Sequence, residues 1–400
     1  MTYRILTLDG GGSWALLQAM ALGRIYDPDM PGPEILRKFD LVAANSGGSL
    51  TLAGLISGQT PNNLLNNFFL QQSVRSAIFK PLDAFEHIFD ALGQAIIGIG
   101  PKYDASAKIP AFEQILPVTK TLLSAIPALL ATPTQKGPDL LLASFDYDFE
   151  RGIIFRSNNN SLARSFSHSP AVTLSQAMSG STNAPVNFFD LPVNIADPLR
   201  TYRTWDGGVA GHNNPALIAV AEAIANGVPP AEICVLSIGT GTVVLPVAAD
   251  GSRPPIYPTA KGTGLIDGIQ TLSTSILDDP PDIASYLAHI VLGGKLPATN
   301  NSELIPGPVI RVSPMVCPQW NGSAWVAPAG LPEPLFSALA NLPMDAVQDA
   351  DVANIHALGV AWLSDAVPNQ PIRMNHDTLA CEIGHPVFGL AADAWGTLSA

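Results

Sequence analysis

The chain opens with two repeats of an apolar strand followed by a helix. Apolar residues dominate Ile5–Leu8 and Phe39–Ala44, and each stretch predicts a strand. The stretches Trp14–Arg24 and Ser49–Ile56 each follow a glycine-containing turn and predict helices. This alternation favours an α/β fold, in which helices cover a mostly parallel central sheet in three α/β/α layers. We expect one domain over residues 1–400, with its chemistry at the carboxyl ends of the strands.

The pattern changes between Thr60 and Gly137. Helix-like segments alternate there with prolines and glycines, and no strand is evident. We predict a helical insertion over the sheet, either as ordinary packing helices or as a cap that covers the substrate. The segment is rich in phenylalanine, with Phe68, Phe69, Phe79, Phe85 and Phe89.

Strand patterns resume after the insertion. Leu140–Phe145 and Gly152–Arg156 flank a polar loop and predict a hairpin. Further strands are predicted at Ile233–Ile238 and Val309–Val312, and further helices at Val172–Met178, Pro215–Asn226, Ile283–Val291 and Met344–Leu363. The rest of the stretch from Ala248 to Pro334 is rich in proline, glycine, serine and asparagine and predicts little regular structure.

Charge and composition narrow the class of partner. The formal net charge is −13 and no basic run is present, which argues against nucleic acid as a partner. The same charge disfavours tight docking on anionic lipid, so any transient membrane contact would be mainly apolar. Cys234, Cys317 and Cys381 are widely separated, and neither they nor the histidines have metal-ligand spacing. With no signal-like start and no long apolar run, we expect a cytoplasmic protein without metal or cofactor.

The sequence Ala44-Asn45-Ser46-Gly47-Gly48 lies between a predicted strand and a predicted helix. This is the setting of a nucleophile elbow, in which small residues two before and two after the serine let strand and helix approach each other. Ala44 and Gly48 are those small residues. Ser49 is a rival nucleophile, but it falls inside the predicted helix.

Asp9-Gly10-Gly11-Gly12 follows the first strand, and consecutive glycines there can direct backbone N–H groups at an anion. Two interpretations compete. Gly10-x-Gly12-x-x-Ala15 fits a dinucleotide fingerprint, with Asp27 or Asp29 as the ribose-binding acid. Alternatively, the glycines form an oxyanion hole for an attacked ester.

Asp206-Gly207-Gly208 is a turn pattern, although a buried Asp beside a serine can also act as its general base. His212, six residues further along, is the histidine most open to a catalytic role. A structural role for it is the simpler interpretation.

The order of these motifs resembles the patatin-like phospholipases. The glycine run, the Ser46 elbow and Asp206-Gly207-Gly208 follow one another as in that family. Additional stretches resemble it too: Ala177–Pro185, Asn213-Asn214-Pro215 and Ser237–Gly241. The resemblance implies that Ser46 is the nucleophile, that Asp206 is its base without a histidine, and that Gly10, Gly11 and Gly12 form the oxyanion loop.

The chain departs from the family pattern at two places. Ala44 stands where the elbow usually has glycine, and Ser13-Trp14-Ala15 stands where an Arg or Lys commonly follows the glycines. By the resemblance, the substrate is a glycerophospholipid or a related acyl lipid. A carboxylesterase or thioesterase acting on soluble esters, a non-catalytic storage or binding protein, and a nucleotide-dependent oxidoreductase are the alternatives. The sequence does not indicate an oligomeric state.

Overall fold

The computed structural model describes residues 2–82, 101–163, 171–185, 188–196, 200–243, 281–296, 307–323, 325–342, 345–374 and 381–399. Its strands are β1 (Tyr3–Leu8), β2 (Leu41–Ala44), β3 (Asp139–Asp146), β4 (Arg151–Arg156), β5 (Val193–Ala196), β6 (Thr201–Asp206), β7 (Ile233–Ile238), β8 (Thr242–Val243), β9 (Val309–Val312), β10 (Met315–Val316), β11 (Gln319–Trp320), β12 (Trp325–Val326), β13 (Arg373–Met374) and β14 (Cys381–Ile383).

The described α-helices are α1 (Leu16–Ile25), α2 (Gly32–Leu36), α3 (Gly47–Ile56), α4 (Pro61–Leu64), α5 (Gln72–Ile78), α6 (Lys108–Ile115), α7 (Ile126–Leu130), α8 (Leu174–Ser181), α9 (Ala216–Ala225), α10 (Pro281–Val291), α11 (Glu333–Ala340), α12 (Asp349–Leu363) and α13 (Phe388–Leu398). A π-helical turn spans Leu65–Phe69. Short 3-10 turns lie at Gly12–Ala15, Ala105–Ala107, Pro117–Lys120, Leu123–Ala125, Gly207–Ala210 and Pro230–Glu232.

The central sheet connects its strands in the order β5-β6-β3-β2-β1-β7-β9. Strands β2 and β6 pair with successive parts of one edge of β3, and β4 pairs with the opposite edge. The pairs β1/β2, β2/β3, β1/β7 and β7/β9 are parallel. The pairs β3/β4, β3/β6 and β5/β6 are antiparallel. The predicted α/β fold with a mostly parallel sheet is confirmed, and so is the hairpin of β3 and β4.

Side chains of the sheet alternate between two helical layers. On one face, Leu6 and Leu8 of β1 join a core built with α1, α3, α8, α12 and α13. On the other face, Ile5 joins a smaller core built with α9 and α10. Because successive side chains of a strand point to opposite faces, strands that are buried on both faces carry near-continuous apolar runs. The sheet therefore lies between two layers of helices, as predicted.

Phe39 was predicted in the second strand, but β2 begins only at Leu41. The ring of Phe39 is buried and stacks on Trp395 of α13, with ring centroids 5.9 Å apart. Phe39 therefore serves to pack against helix α13 and does not belong to the sheet. The predicted helix starting at Met344 begins at Asp349, and Met344 itself lies outside the described residues.

The described residues between 60 and 137 are helical or irregular. Phe68 and Phe69 are buried in the larger core, so they are packing residues. Phe79 is partly buried at the edge of that core. Phe85 and Phe89 lie outside the described residues, and the prediction of a cap stays a prediction, as does that of a single domain.

Within the described residues, no helix combines the length and apolar composition that crossing a bilayer requires. Those residues also contain no group of His, Cys, Asp or Glu side chains placed to hold a metal ion. Cys234 and Cys317 are buried free thiols, and Cys381 is a half-buried one.

Candidate active site

Ser46 occupies a strained turn between β2 and α3. Its backbone has φ 45° and ψ −122°, a conformation that non-glycine residues rarely adopt. A Cβ atom on Gly48 would lie 2.3 Å from the carbonyl oxygen of Leu8, and one on Gly47 would lie 2.6 Å from that of Gly12. Glycine is therefore required on the helix side of the turn. Ala44, at the end of β2, is fully buried and leaves the turn intact.

Strand β3 brings Asp206 to Ser46. Strand β2 pairs with β3 in parallel and ends where Ala44 faces Leu142. Strand β4 pairs with the opposite edge of β3. Strand β6 therefore pairs with the same edge as β2, along the part of β3 that lies beyond the end of β2. Asp206 then faces Ser144, two residues further along β3. The end of β6 thus lies beside the turn after β2.

Asp206 is 3% exposed, and the Ser46 side chain lies close enough to lower the pKa of its carboxyl group. Oδ1 of Asp206 accepts hydrogen bonds from the N–H of Gly208 at 2.8 Å and from Nδ2 of Asn45 at 3.0 Å. Burial raises the pKa of the carboxyl group, and the hydrogen bonds and the nearby Lys108 oppose that rise. Gly207 must be glycine, since a Cβ there would lie 2.4 Å from Oδ1 of Asn45.

Lys108 of α6 is fully buried near Asp206. Its Nζ lies 3.3 Å from the carbonyl oxygen of Ser179, 3.5 Å from Oδ1 of Asn183 and 3.9 Å from the centre of the Phe189 ring. Burial lowers the pKa of the ammonium group well below its usual range, and the charge of Asp206 opposes this. Sequence reasoning missed Lys108 because it lies in the helical segment, far from every motif.

The glycine run shapes a tight loop against the Ser46 turn. The N–H of Gly10 donates to the carbonyl oxygen of Asn213 at 2.8 Å. Gly11 and Gly12 have positive φ angles of 150° and 54°. The N–H groups of Gly11, Gly12 and Gly47 donate to no acceptor among the described residues. Gly12 and Gly47 line the same pocket as Ser46.

Asp9 anchors this loop from below. Its Oδ2 lies 2.6 Å from Nη2 of Arg311 in β9, and both side chains are 1% exposed. Nη1 of Arg311 also donates to Oγ of Ser237 at 2.9 Å. Burial raises the pKa of Asp9 to about 6, and Arg311 opposes the rise. The hydroxyl of Thr240 also donates a hydrogen bond to the carbonyl oxygen of Gly10 at 2.5 Å.

Two further polar residues position the elbow. The N–H of Ser46 donates to Oγ of Ser181 at 2.9 Å, and that hydroxyl lies 3.5 Å from Oδ1 of Asn45. Ser181 ends α8, which begins with a capping box between Thr173 and Gln176. The helix predicted at Val172–Met178 corresponds to α8, but nothing in the sequence distinguished Ser181 from its neighbours.

Neither rival residue is placed for catalysis. Oγ of Ser49 donates to the carbonyl oxygen of Ser46 at 2.5 Å inside α3 and is fully buried. His212 lies against Gly152 of β4, and burial lowers its pKa. Among the described residues, no histidine bonds to Ser46 or Asp206.

The dinucleotide interpretation places its acid at the wrong end of a helix. The glycine run precedes α1, whereas Asp27 and Asp29 follow the helix. Ten helical residues span about 15 Å. Strand β2, which follows α1 in the chain and pairs with β1, ends in Ala44 and carries no acidic residue. The geometry therefore does not support a dinucleotide site.

An apolar pocket, partly open to solvent, lies next to Ser46. Leu50 of α3, Ile78 of α5, Phe79, Phe188 and Phe189 form most of its wall. The pocket thus joins the elbow, the helical segment and the loop before β5.

Comparison with known proteins gives a family match and distant relatives. A sequence model described as patatin-like phospholipase matches residues 6–220. The sporulation protein CotR of Bacillus subtilis strain 168 is 23% identical over 283 residues, which are 70% of this chain and 73% of CotR.

Solved structures with similar folds have low TM-scores. VipD from Legionella pneumophila is 11% identical, with 90% of this chain and 67% of VipD covered and a TM-score of 0.34. Human GIVD cytosolic phospholipase A2 is 14% identical, with 46% and 28% covered and a TM-score of 0.28.

Proposed function

Since the chain belongs to the patatin-like phospholipase family, we propose that it is a serine hydrolase of the phospholipase A type that cleaves fatty-acyl esters of glycerophospholipids or related lipids. The observation that carries this proposal is the position of Ser46, on its strained turn, beside the buried carboxylate of Asp206, whose pKa the Ser46 side chain lowers. A positioned base beside a serine is what acyl transfer needs.

Asp206 would take the hydroxyl proton while Oγ of Ser46 attacks the ester carbonyl carbon. The tetrahedral intermediate would collapse to an acyl-enzyme, and Asp206 would return the proton to the leaving alcohol. Asp206 would then deprotonate a water molecule that releases the fatty acid and regenerates Ser46.

The charge on the attacked oxygen needs backbone donors that are free and already oriented. We assign this role to the N–H groups of Gly11, Gly12 and Gly47. Gly10 belongs to the same loop, but its N–H already donates to Asn213. Gly10 therefore fixes the loop, and its missing Cβ leaves room for Asn213 and Ser46.

The apolar pocket would hold the acyl chain. Burial of methylene groups against Leu50, Ile78 and Phe79 gives about 0.8 kcal/mol for each group. This favours a lipid ester over a short soluble one, so the carboxylesterase and thioesterase alternative ranks second. The net charge of −13 disfavours tight docking on anionic lipid, so contact with a membrane surface would be transient and mainly apolar. A cytoplasmic location remains part of the proposal.

The test compares hydrolysis of phospholipid in mixed micelles with hydrolysis of a short-chain soluble ester, by the wild type and by Ser46→Ala. We expect turnover of both substrates, faster on phospholipid, and loss of both in Ser46→Ala. Hydrolysis of the soluble ester alone would point to the carboxylesterase. Absence of turnover on both substrates by a folded wild type would point to a binding or storage protein.

A further inference from the structure

The apolar pocket beside Ser46 contains a carboxylate. Asp345 is the one ionisable residue among the described residues that line it, and it is only 6% exposed. Burying a carboxylate among phenyl rings costs free energy unless its oxygens find partners. The bonding of each oxygen therefore indicates what the residue is placed to do.

The two oxygens of Asp345 have different surroundings. Oδ2 accepts a hydrogen bond from the hydroxyl of Tyr103 at 2.7 Å and lies 3.0 Å from Nζ of Lys102. Oδ1 is buried and accepts no hydrogen bond from any described residue. A buried acceptor without a donor is destabilising, and a bound ligand with a donor group would relieve this.

The charges around Asp345 decide which kind of donor fits. Lys102 already neutralises the carboxylate, and its Nζ also lies 5.6 Å from the centre of the Phe188 ring. A second cation in this apolar pocket would leave an excess positive charge with little solvation. A neutral hydroxyl group can donate to Oδ1 without adding charge, so the surroundings favour it over an ammonium group.

We propose that Oδ1 of Asp345 accepts a hydrogen bond from a hydroxyl group of the substrate, so that the enzyme selects acyl esters that carry a free hydroxyl near the scissile bond. This inference rests on the proposed function and narrows its substrate class. The hydroxyl can belong to the alcohol part, as in a monoacyl glycerolipid, or to a hydroxylated acyl chain. Both present the same donor to the same acceptor.

The first experiment measures kcat/KM for two pairs of esters. One pair is a monoacylglycerol and its deoxy analogue, and the other is an ester of a hydroxylated fatty acid and its deoxy analogue. A hydrogen bond to a charged acceptor predicts a preference of about 10- to 100-fold for the hydroxyl form in one of the pairs. The pair that shows it identifies the source of the hydroxyl.

Asp345→Asn separates recognition from structural support. Lys102 and Tyr103 both donate to the position of Oδ2, so the amide oxygen takes that place and the NH₂ group takes the place of Oδ1. The unpartnered acceptor at Oδ1 becomes a donor while the contacts at Oδ2 remain. We expect Asp345→Asn to lose the hydroxyl preference and Tyr103→Phe, the matched control, to keep it within about threefold, because it leaves Oδ1 unchanged.

Binding gives a readout that does not need turnover. In Ser46→Ala, an ether lipid with the hydroxyl should bind about 10-fold or more tightly than its deoxy analogue, and Asp345→Asn should remove the difference. If the wild type hydrolyses no ester but this difference appears, the proposed function fails and the hydroxyl site stands. Equal binding of both lipids, equal kcat/KM within each pair, or an equal loss of preference in Tyr103→Phe would overturn the inference.

Discussion

Asp206 and Lys108 lie beneath Ser46 with no solvent to stabilise either charge. Burial raises the pKa of the Asp206 carboxyl group and lowers the pKa of the Lys108 ammonium group. The charge of each residue opposes the shift of the other. Hydrogen bonds from Gly208 and Asn45 stabilise the ionised carboxylate, and the nearby Ser46 side chain also lowers its pKa. At the scale of single residues, the proposed mechanism therefore depends on keeping Asp206 ionised inside the protein.

Asp206→Asn tests the role of the base. The change is nearly isosteric but removes the proton acceptor, so kcat should fall by about 10²- to 10⁴-fold while the melting temperature changes little. His212→Ala should keep activity within about tenfold, because His212 bonds to neither residue of the pair. Both are measured on one soluble ester. A stably folded His212→Ala protein as inactive as Asp206→Asn would replace the pair with a Ser, His and Asp triad.

Lys108→Met tests the charge beneath Asp206. An ionised base is needed for attack, so the raised pKa of Asp206 places the acid limb of kcat/KM above the ordinary range of an aspartate, about pH 3.9. Removing the Lys108 cation removes a factor that lowers this pKa. The acid limb should therefore move further to higher pH. The measurement is the pH profile of kcat/KM for the wild type and for Lys108→Met at equal ionic strength. An acid limb at the same pH or at a lower pH in Lys108→Met would contradict the expected coupling between Lys108 and Asp206.

At the scale of elements, β3 and β9 build the site although neither carries a catalytic residue. Strand β3 pairs with β2 and β6 along one edge, which brings Ser46 and Asp206 together. Strand β9 supplies Arg311, which holds Asp9 below the glycine loop. The family match ends at residue 220, so this anchor comes from a part of the chain beyond it. The loop lacks the Arg or Lys of the family, and Arg311 brings a cation from another strand.

Arg311→Met tests this anchor. Leaving Asp9 buried and unpaired should lower stability by about 3–5 kcal/mol, and displacement of the oxyanion donors should lower kcat by about tenfold or more with little change in KM. The double variant Asp9→Asn, Arg311→Met removes both charges, so it should regain much of the melting temperature but not kcat. Recovery of kcat in the double variant would show that the pair only stabilises the fold.

The elements that the sequence predicted best are the buried strands with long apolar runs, such as β1 and β7. Strand β5 was missed because buried and exposed residues alternate along it, so it lacks the continuous apolar run of the equally short β2 and β9. Helix α13 was missed because Gly389 and Gly396 interrupt it. The proposed pair of Ser46 and Asp206 followed from motifs, whereas Lys108, Ser181 and Arg311 did not, because only the packed fold brings them near the candidate site.

At the scale of the whole molecule, the helical segment and the sheet share one core and one pocket. Ile78 and Phe79 of that segment line the pocket together with Leu50 of α3. Phe79 also packs on Tyr103 and Phe189, with ring centroids 5.3 Å and 6.1 Å apart. The segment is therefore continuous with the wall that would contact an acyl chain.

Phe79→Ser tests that wall. It should lower kcat/KM on a long-chain ester by about tenfold and on an acetyl ester by less than about threefold, because only the long chain reaches the apolar wall. Leu129→Ser is the matched control, since Leu129 is 56% exposed in the same segment and does not line the pocket. It should change neither rate. Equal losses on both esters in Phe79→Ser would show that the segment only packs against the core and does not contact the acyl chain.

Covalent labelling distinguishes an activated serine nucleophile at Ser46 from an ordinary buried serine. The full-length protein is incubated with a lipid-like fluorophosphonate, which reacts with activated serines, and the modified residue is mapped by peptide mass spectrometry. We predict modification at Ser46, none in Ser46→Ala, and a much slower reaction in Asp206→Asn. Modification at Ser49 with Ser46 untouched, or no modification of a folded wild type, would contradict the account.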